Sequence, residues 1–357
     1  CDYLAELTLS IMAKQQLKDP TKGFAPDFQT RILKEAGKEA WEKHIRICTN
    51  AGGMNIAGCV DGIKQWAESE KMKGYKIGYV TGDSIKDKIP QLLKDGWTFP
   101  NFDYDGDFHS ILDKIYNCNA YIGHEGIEQC LRDGADVVIT GRAADSALFL
   151  APLAYEFCWA DNDWNNLARG IMAGHLLECG GQGAGGNYMY DWRNVPRMDE
   201  LGFPIAELTD DTFEITKAPD CGGVICEQSC KEQFLYEVHD PANYLTPDVN
   251  VDISKATITQ VGPDRVRIGN VRGKQRPDTL KLCVGYHKGW KTVSMLSFAW
   301  PDAYEKAQYC AEVIMKKMAR RGMKADDVHI SYIGVNSLHL GVADMSEEAL
   351  KNLNECV

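Results

Sequence analysis

The sequence predicts an α/β protein: a mainly parallel sheet flanked by helices, followed by a smaller α+β domain. Three observations predict it. Short apolar runs alternate with helix-period segments over the first two hundred residues. Several of those runs end in polar turns that contain glycine. After about Ile205 the texture changes to alternating strands closed by one long helix. The domains are therefore expected at 1–205 and 206–357.

Taken in order, the first segment reads as a helix with Leu4, Leu7, Ile11 and Met12 on one face. Ile45–Cys48 is an apolar strand, followed by Thr49-Asn-Ala-Gly-Gly53 and a helix that carries Ile56, Val60, Ile63 and Ala67. Tyr75–Val80 is the next strand, with Asp83 or Ser84 as a helix cap behind it. Ala120–Ile122 leads into Gly123-His-Glu125 and a short helix. Val137–Ile139 leads into Thr140-Gly-Arg142. In the second half, Ala256–Val261 and Arg265–Ile268 flank a Gly-Pro-Asp turn. Leu280–Tyr286 and Thr292–Phe298 are further strands. Asp302–Arg321 is one helix with Ala303, Ala307, Cys310, Ala311, Ile314 and Met318 inward, and Val328–Ile333 closes as a strand.

The bulk numbers bound the function. A chain of 357 residues, 44% hydrophobic, is long enough for a sizeable core and two domains. A net charge of −12 excludes a general nucleic-acid binder but leaves room for an acidic ligand held by one local cation. Thirteen dispersed cysteines fit a reducing compartment better than a disulfide framework. Cys221, Cys226 and Cys230 cluster, yet their spacing fits neither a zinc nor an iron–sulfur site, so no metal is expected. No apolar run of about 18 residues marks a membrane span. The cytoplasm is the expected location, with the mitochondrial matrix as the alternative if a targeting segment preceded Cys1.

Chemistry is expected where the strands end. In an open parallel sheet, ligands bind beyond the carboxyl ends of the strands. If the strands are neighbours, Asn50, Gly52, Gly53, Asp83, Glu125, Gly141 and Arg142 line one cleft. Glycine there lets the backbone approach a ligand, and each following helix offers free N–H groups to an anion. Arg142 then strengthens an anion site. The competing reading is a helix cap in which Arg142 pairs with Asp145. Asn50 and Asp83 carry the same ambiguity, since both residue types suit turns.

Three further stretches bear on the site. His175 and Glu178 lie three apart near a helix end, so their side chains share a face, as a general acid–base pair, as half of a metal site, or as a histidine bonded to its helix neighbour. Gly181, Gly183 and Gly186 spell G-x-G-x-x-G, but a helix precedes them where the dinucleotide motif needs a strand. That run is expected to be a wall or lid. His239 and Asp240 precede a proline and either orient a substrate group or cap a domain junction. Cys179 sits at the negative end of a helix, a poor place for a thiolate, and Cys48 reads as core.

Several long motifs together resemble the acyclic terpene utilisation (AtuA) family. They are Thr49–Gly53, Thr140-Gly-Arg-Ala-Ala-Asp-Ser-Ala-Leu148, Ala173-Gly-His-Leu-Leu-Glu-Cys-Gly180, Tyr236-Glu-Val-His-Asp-Pro-Ala-Asn-Tyr-Leu-Thr-Pro-Asp248, Val261-Gly-Pro-Asp-Arg-Val-Arg267 and Arg276-Pro-Asp-Thr-Leu-Lys281. They run in one order over almost the whole chain. The resemblance implies a place in the breakdown of acyclic isoprenoids such as citronellol and geraniol, which proceeds through coenzyme A thioesters. It also implies a further strand and glycine turn ahead of Cys1 and more chain after Val357. His124 departs from the smaller residue expected there.

The resulting expectation is an enzyme of acyl-CoA, acyclic isoprenoid or branched-chain acid catabolism, of lyase or hydratase type. Its small anionic substrate, an acyl-CoA or carboxylate, is held by Arg142 and the Thr49–Gly53 backbone. Proton transfer falls to His175 with Glu178, or to Asp83 or Asp145. No nicotinamide, flavin, biotin or ATP motif is evident, so no cofactor is expected beyond coenzyme A as part of the substrate. A homo-oligomer is expected, with no nucleic-acid or membrane partner. The alternative is a non-catalytic ligand-binding or structural subunit of a larger complex.

Overall fold

A computed structural model describes residues 1–357 apart from 104, 210, 336 and 339–344. The chain divides into two compact units, Cys1–Lys288 and Gly289–Val357.

The first unit begins with helix α1 (Glu6–Lys18), which buries Leu9, Met12 and Ala13. The stripe expected from Leu7 and Ile11 faces solvent instead, and Leu4 is buried ahead of the helix. Two apolar stripes compete in this segment, and the i, i+3, i+4 set at 9, 12 and 13 wins the interior. A wide-turned helix over Phe28–Gly37 runs into α2 (Lys38–Glu42). Then follow β1 (Ile47–Thr49), α3 (Ile56–Ser69), β2 (Ile77–Val80), α4 (Ile89–Lys94), β3 (Ile115–Ala120), α5 (Glu125–Arg132), β4 (Val137–Thr140), α6 (Ala147–Phe157) and α7 (Trp164–Leu177).

The parallel sheet holds only three of these strands, in the order β1-β4-β2. Val138 of β4 lies between Cys48 and Gly78, and all four β4 residues are buried. This corrects the expected mainly parallel sheet. β3 does not join it. It pairs antiparallel with β12 (Leu282–Tyr286), Cys118 opposite Val284. The reason is the polar inner face of β3. Asn117 donates to Asn119 Oδ1 at 3.1 Å, Asn119 donates to Asp83 at 2.8 Å, and Asn117 also reaches the Cys283 carbonyl at 3.4 Å. A buried amide ladder needs a partner that completes it, and β12 supplies one from far along the chain.

The other sheets of this unit are antiparallel. β5 (Pro204–Leu208), β6 (Phe213–Lys217), β9 (Thr257–Gly262) and β10 (Arg265–Gly269) form one in the order β5-β6-β10-β9. β7 (Tyr244–Leu245), β8 (Asn250–Asp252) and β11 (Arg272–Lys274) form another, and α8 (Glu227–Leu235) precedes β7. The texture change near Ile205 coincides with β5. Helix α7 is buried continuously over Leu167–Leu176. Its Leu167, Ile171 and Met172 pack in one core with Phe213, Ile215, Val249, Val251, Val266 and Ile268. A helix apolar on all sides needs such a position, and here it anchors the end that carries His175 and Glu178.

The second unit holds β13 (Phe298–Ala299), α9 (Ala303–Arg320), α10 (Glu347–Lys351) and β14 (Glu355–Cys356), with β13 antiparallel to β14. Of the expected Thr292–Phe298 strand, only Phe298 is paired, and Val328–Ile333 forms no strand. An alternating pattern makes a strand only where it finds a neighbour; Val328 and Ile330 are instead exposed. On α9 only Ala303 and Ala307 of the expected inward set are buried.

Candidate functional site

Arg142 leaves β4 at the turn into α6, and its side chain is 1% exposed. Its backbone N–H donates to Asp83 Oδ2 at 2.9 Å and its Nε to the Ala143 carbonyl at 2.7 Å. Nη1 donates to the Leu4 carbonyl and Nη2 to Asp145 Oδ1. The guanidinium lies 4.6 Å over the Tyr121 ring, and Lys281 Nζ lies 4.8 Å from the same ring. The Tyr121 hydroxyl donates to Glu6. All three guanidinium nitrogens are thus engaged by the chain itself. The pairing of Arg142 with Asp145 is the geometry observed, although among the described residues no side chain caps α6.

The other strand-end residues are committed in the same way. Asp83 is buried and accepts from the Arg142 N–H and from Asn119, so it ties loops together and caps no helix. A Cβ at Gly141 would come within 2.5 Å of Asp83 Oδ2, which explains the glycine there. Asn50 is buried, accepting from the Tyr3 N–H at 2.7 Å and donating to Asp2 Oδ1. Gly52 lies against the Thr140 carbonyl, and Gly53, at φ +51°, against Met12. The Thr49–Gly53 loop is buried, and its neighbouring helix α3 is capped by Asn55, which accepts from Gly58 N at 3.0 Å. Glu125 is exposed and pairs with Arg276 at 2.6 Å. His239 and Asp240 are exposed; Asp240 accepts from Ala242 N and Asn243, each at 2.9 Å, and so caps a turn.

What the fold brings together is different. Carboxylate oxygens of Asp2, Asp145 and Glu178 lie within 4.8 Å of one another. They come from the first residues, the start of α6 and the end of α7. Asp2 Oδ1 accepts from Leu4 N at 2.9 Å and from Asn50, Asp145 Oδ1 accepts from Arg142, and Glu178 Oε1 accepts from the Cys179 thiol at 3.0 Å. One oxygen of each carboxylate is thereby fixed.

The electrostatics follow from burial and like charge. Burial, then the charge of Asp2, pushes Asp145 up to about 8 despite Arg142. Burial, with the charges of Asp2 and Glu237, pushes Glu178 up to about 7 against the Cys179 hydrogen bond and Arg142. Both carboxyls therefore exchange protons near neutrality, which is what acid–base work needs. Tyr244 faces the same group: burial and the charges of Asp145, Glu178 and Glu237 raise its phenol and keep it protonated.

His175 is 3% exposed, with its ring 5.7 Å from that of Tyr244. Its Nδ1 is 4.0 Å from Glu178 Oε1, and Nε2 has no hydrogen-bond partner. Burial pulls it down to about 4, the backbone of Gln233 and Tyr236 opposing, so the imidazole is neutral at pH 7. Glu178, rather than His175, carries the mobile proton of this pair. Cys179 is pushed up to about 12 by burial and by Glu178, as its place at a helix end suggested. The Gly180–Gly186 run lies against Phe203, Leu201 and Val224, and its Gln182 and Gly185 form part of a pocket wall. Beside it opens a pocket of about 340 Å³ lined by Gln182, Tyr188, Ser229, Glu232, Gln233 and Tyr236 among others. Gln233 links this pocket to α7, donating to the His175 carbonyl at 3.3 Å.

A separate buried pair surrounds His124. Its N–H donates to Asp248 Oδ1 at 2.8 Å, its Nδ1 is 2.6 Å from the same oxygen, and its Nε2 is 3.4 Å from Glu128. Burial pulls His124 down, but the Asp248 hydrogen bond and charge, with Glu128 and Glu125, leave it raised. The residues of the Tyr236–Asp248 stretch that reach inside are therefore Tyr244, Thr246 and Asp248, not His239 or Asp240. Asp2, Tyr244 and Asp248 carried no local signal; only the motif that contains the latter two marked the region.

The family model described as "Acyclic terpene utilisation family protein AtuA" matches residues 1–354, and the chain belongs to this family. No curated protein and no solved structure matches the chain. Among the described residues, no helix is long and apolar enough to cross a membrane.

Proposed function

We propose that the protein is an enzyme of acyclic isoprenoid or branched-chain acid breakdown, and that it performs lyase- or hydratase-type proton transfer on an acyl thioester or carboxylate. The observation that carries this reading is the meeting of Asp2, Asp145 and Glu178 from three distant segments. Clustered carboxyls cost stability, so their convergence supports a chemical role. Glu178 would take or give the proton at the reacting carbon or hydroxyl. Tyr244, still protonated, would donate to the developing oxyanion. Asp145, held by Arg142 and raised to about 8, would relay that proton. The family name, with its reference to acyclic terpene use, supports the substrate class. Coenzyme A would enter only as the thioester handle, and a homo-oligomer is part of the same proposal.

The test is a hydration and dehydration assay on branched unsaturated and 3-hydroxy acyl thioesters, with solvent deuterium incorporation as a second readout. Glu178→Gln should lower kcat by about 10²–10⁴. A second reading, a non-catalytic ligand-binding or structural subunit, is favoured by the internal commitment of Arg142, Asp83 and Asn50. It predicts ligand-induced stabilisation with no turnover by the unaltered protein.

A further inference from the structure

We propose that His124 and Asp248 are positioning residues. Their paired hydrogen bonds fix the β7–β8 hairpin against the turn that carries Asp145, and so set where the Tyr244 phenol stands relative to the carboxyl group. The inference rests on the reading of Tyr244 as the oxyanion donor of the proposed reaction.

The hairpin supplies the first link. Tyr244 pairs with Val251 and Leu245 with Asn250, so β7 and β8 are joined by the turn Thr246-Pro-Asp-Val249. That turn is locked by Thr246. Its Oγ1 donates to the Val249 carbonyl at 2.7 Å and accepts from Asp248 N at 3.3 Å and Val249 N at 3.1 Å. A rigid turn transmits the placement of Asp248 to Tyr244, four residues away.

His124 supplies the second link. Asp248 Oδ1 accepts from the His124 backbone N–H at 2.8 Å and lies 2.6 Å from its Nδ1. Both side chains are buried, at 3% and 1% exposure. Two donors of one residue on one oxygen fix direction as well as distance. Gly123 leaves the space for this approach, since a Cβ there would run into Asp248 Oδ1. On the far side, His124 Nε2 is 3.4 Å from Glu128, which Arg132 holds from Nε at 2.9 Å. The ring therefore cannot turn away without losing both carboxylates.

The third link reaches the carboxyl group. Ile122 bridges to Ala143, and Ala144 N donates to the Ile122 carbonyl at 2.9 Å. The segment Ile122–His124 is thus tied to the turn that ends in Asp145. Tyr244 and Asp145 come from segments a hundred residues apart, and Asp248, His124 and Ile122 join them. Tyr244 packs its ring 5.7 Å from that of His175, and the charges of Asp145 and Glu178 act on its phenol.

Anchoring alone does not explain the choice of residues. Asp248 Oδ2 is buried and has no hydrogen-bond partner among the described residues. A neutral amide would tether the hairpin without burying a carboxylate. What the pair of charged groups adds is a fixed geometry.

The experiment is steady-state kinetics of the full chain on a branched unsaturated acyl thioester, with each variant also made in the Tyr244→Phe background. His124→Ala should lower kcat about 10–100-fold while KM changes less than about threefold. His124→Asn keeps an amide N–H near the place of Nδ1 and should recover most of that loss. Combined with Tyr244→Phe, His124→Ala should cost less than about twofold, because the group it positions is gone. Asp248→Asn, which keeps size and loses charge, is the second variant should His124→Ala fail to fold, and the same split is expected of it. Parent kcat in the folded variants would overturn the proposal, as would an equal loss with and without the Tyr244 hydroxyl. A second readout needs no turnover: 3-fluorotyrosine placed at position 244, followed by fluorine magnetic resonance. Its resonance should move in His124→Ala and return towards the parent in His124→Asn. An unmoved resonance would overturn the positioning role. A parent chain that turns over no thioester, or a Tyr244→Phe variant as active as the parent, would sink the proposed reaction, and the fluorine resonance would then decide the positioning by itself.

Discussion

Arg142 and Asp145 form an ion pair that is buried on one side only: the guanidinium is 1% exposed, the carboxylate 36%. The arginine is the enclosed partner, and the aspartate carboxylate stays partly exposed. This asymmetry assigns different consequences to mutating each residue.

Arg142→Ala should destabilise the fold by about 1–3 kcal/mol, because it leaves the Leu4 and Ala143 carbonyls and Asp145 without their donor. Thermal and denaturant unfolding measure this. A variant that melts like the parent but no longer binds an acyl thioester would return Arg142 to the role of anion anchor.

Glu178→Gln should do the opposite to stability. Its carboxyl is raised to about 7, so at pH 8 the folded state carries an unfavourable charge that glutamine lacks. The variant should gain about 1–3 kcal/mol at pH 8 and nothing near pH 4. A loss of stability at both pH values would show that the carboxylate is held by partners rather than strained by neighbours.

His124 gives a pH signature. Its folded pKa is raised above the unfolded value of about 6.5, so its contribution is fully present below that value. The contribution is lost as pH rises through the folded pKa, where Asp248 loses its charged partner. His124→Gln should flatten stability against pH over this window, measured by urea unfolding at a series of pH values. An unchanged slope would mean that the pair does not ionise together.

Gly141→Ala should cost about 1–3 kcal/mol, since its Cβ would meet Asp83 Oδ2 at 2.5 Å in a buried loop. Asp83→Asn in the same background should not restore it, because the amide fills the same space. Restoration would point to charge, not volume, as the constraint.

The turn from β4 into α6 was legible because its signals are local: an apolar run, then glycine, then an arginine three residues before an acid. The same locality misled the placement of the ligand. Sequence reading treats strand-end N–H groups as free, yet Arg142 N is taken by Asp83 and Ala144 N by the Ile122 carbonyl at 2.9 Å. Those partners lie on other segments. β3 was visible as an element but not its pairing with β12, since strand neighbours are chosen by long-range complementarity of buried amides. His175 and Glu178 were read as a pair, and they do share a helix face. Which of them holds the proton depends on burial and on Asp2, Glu237 and Arg142, none of which is near in sequence.

The measurement that tests the central claim most directly is thioester hydration by the unaltered chain and by Glu178→Gln, with solvent deuterium incorporation followed in parallel. The account predicts turnover by the parent, a loss of about 10²–10⁴ in kcat for the variant, and a variant that melts no lower than the parent. Equal turnover by the two proteins would contradict it.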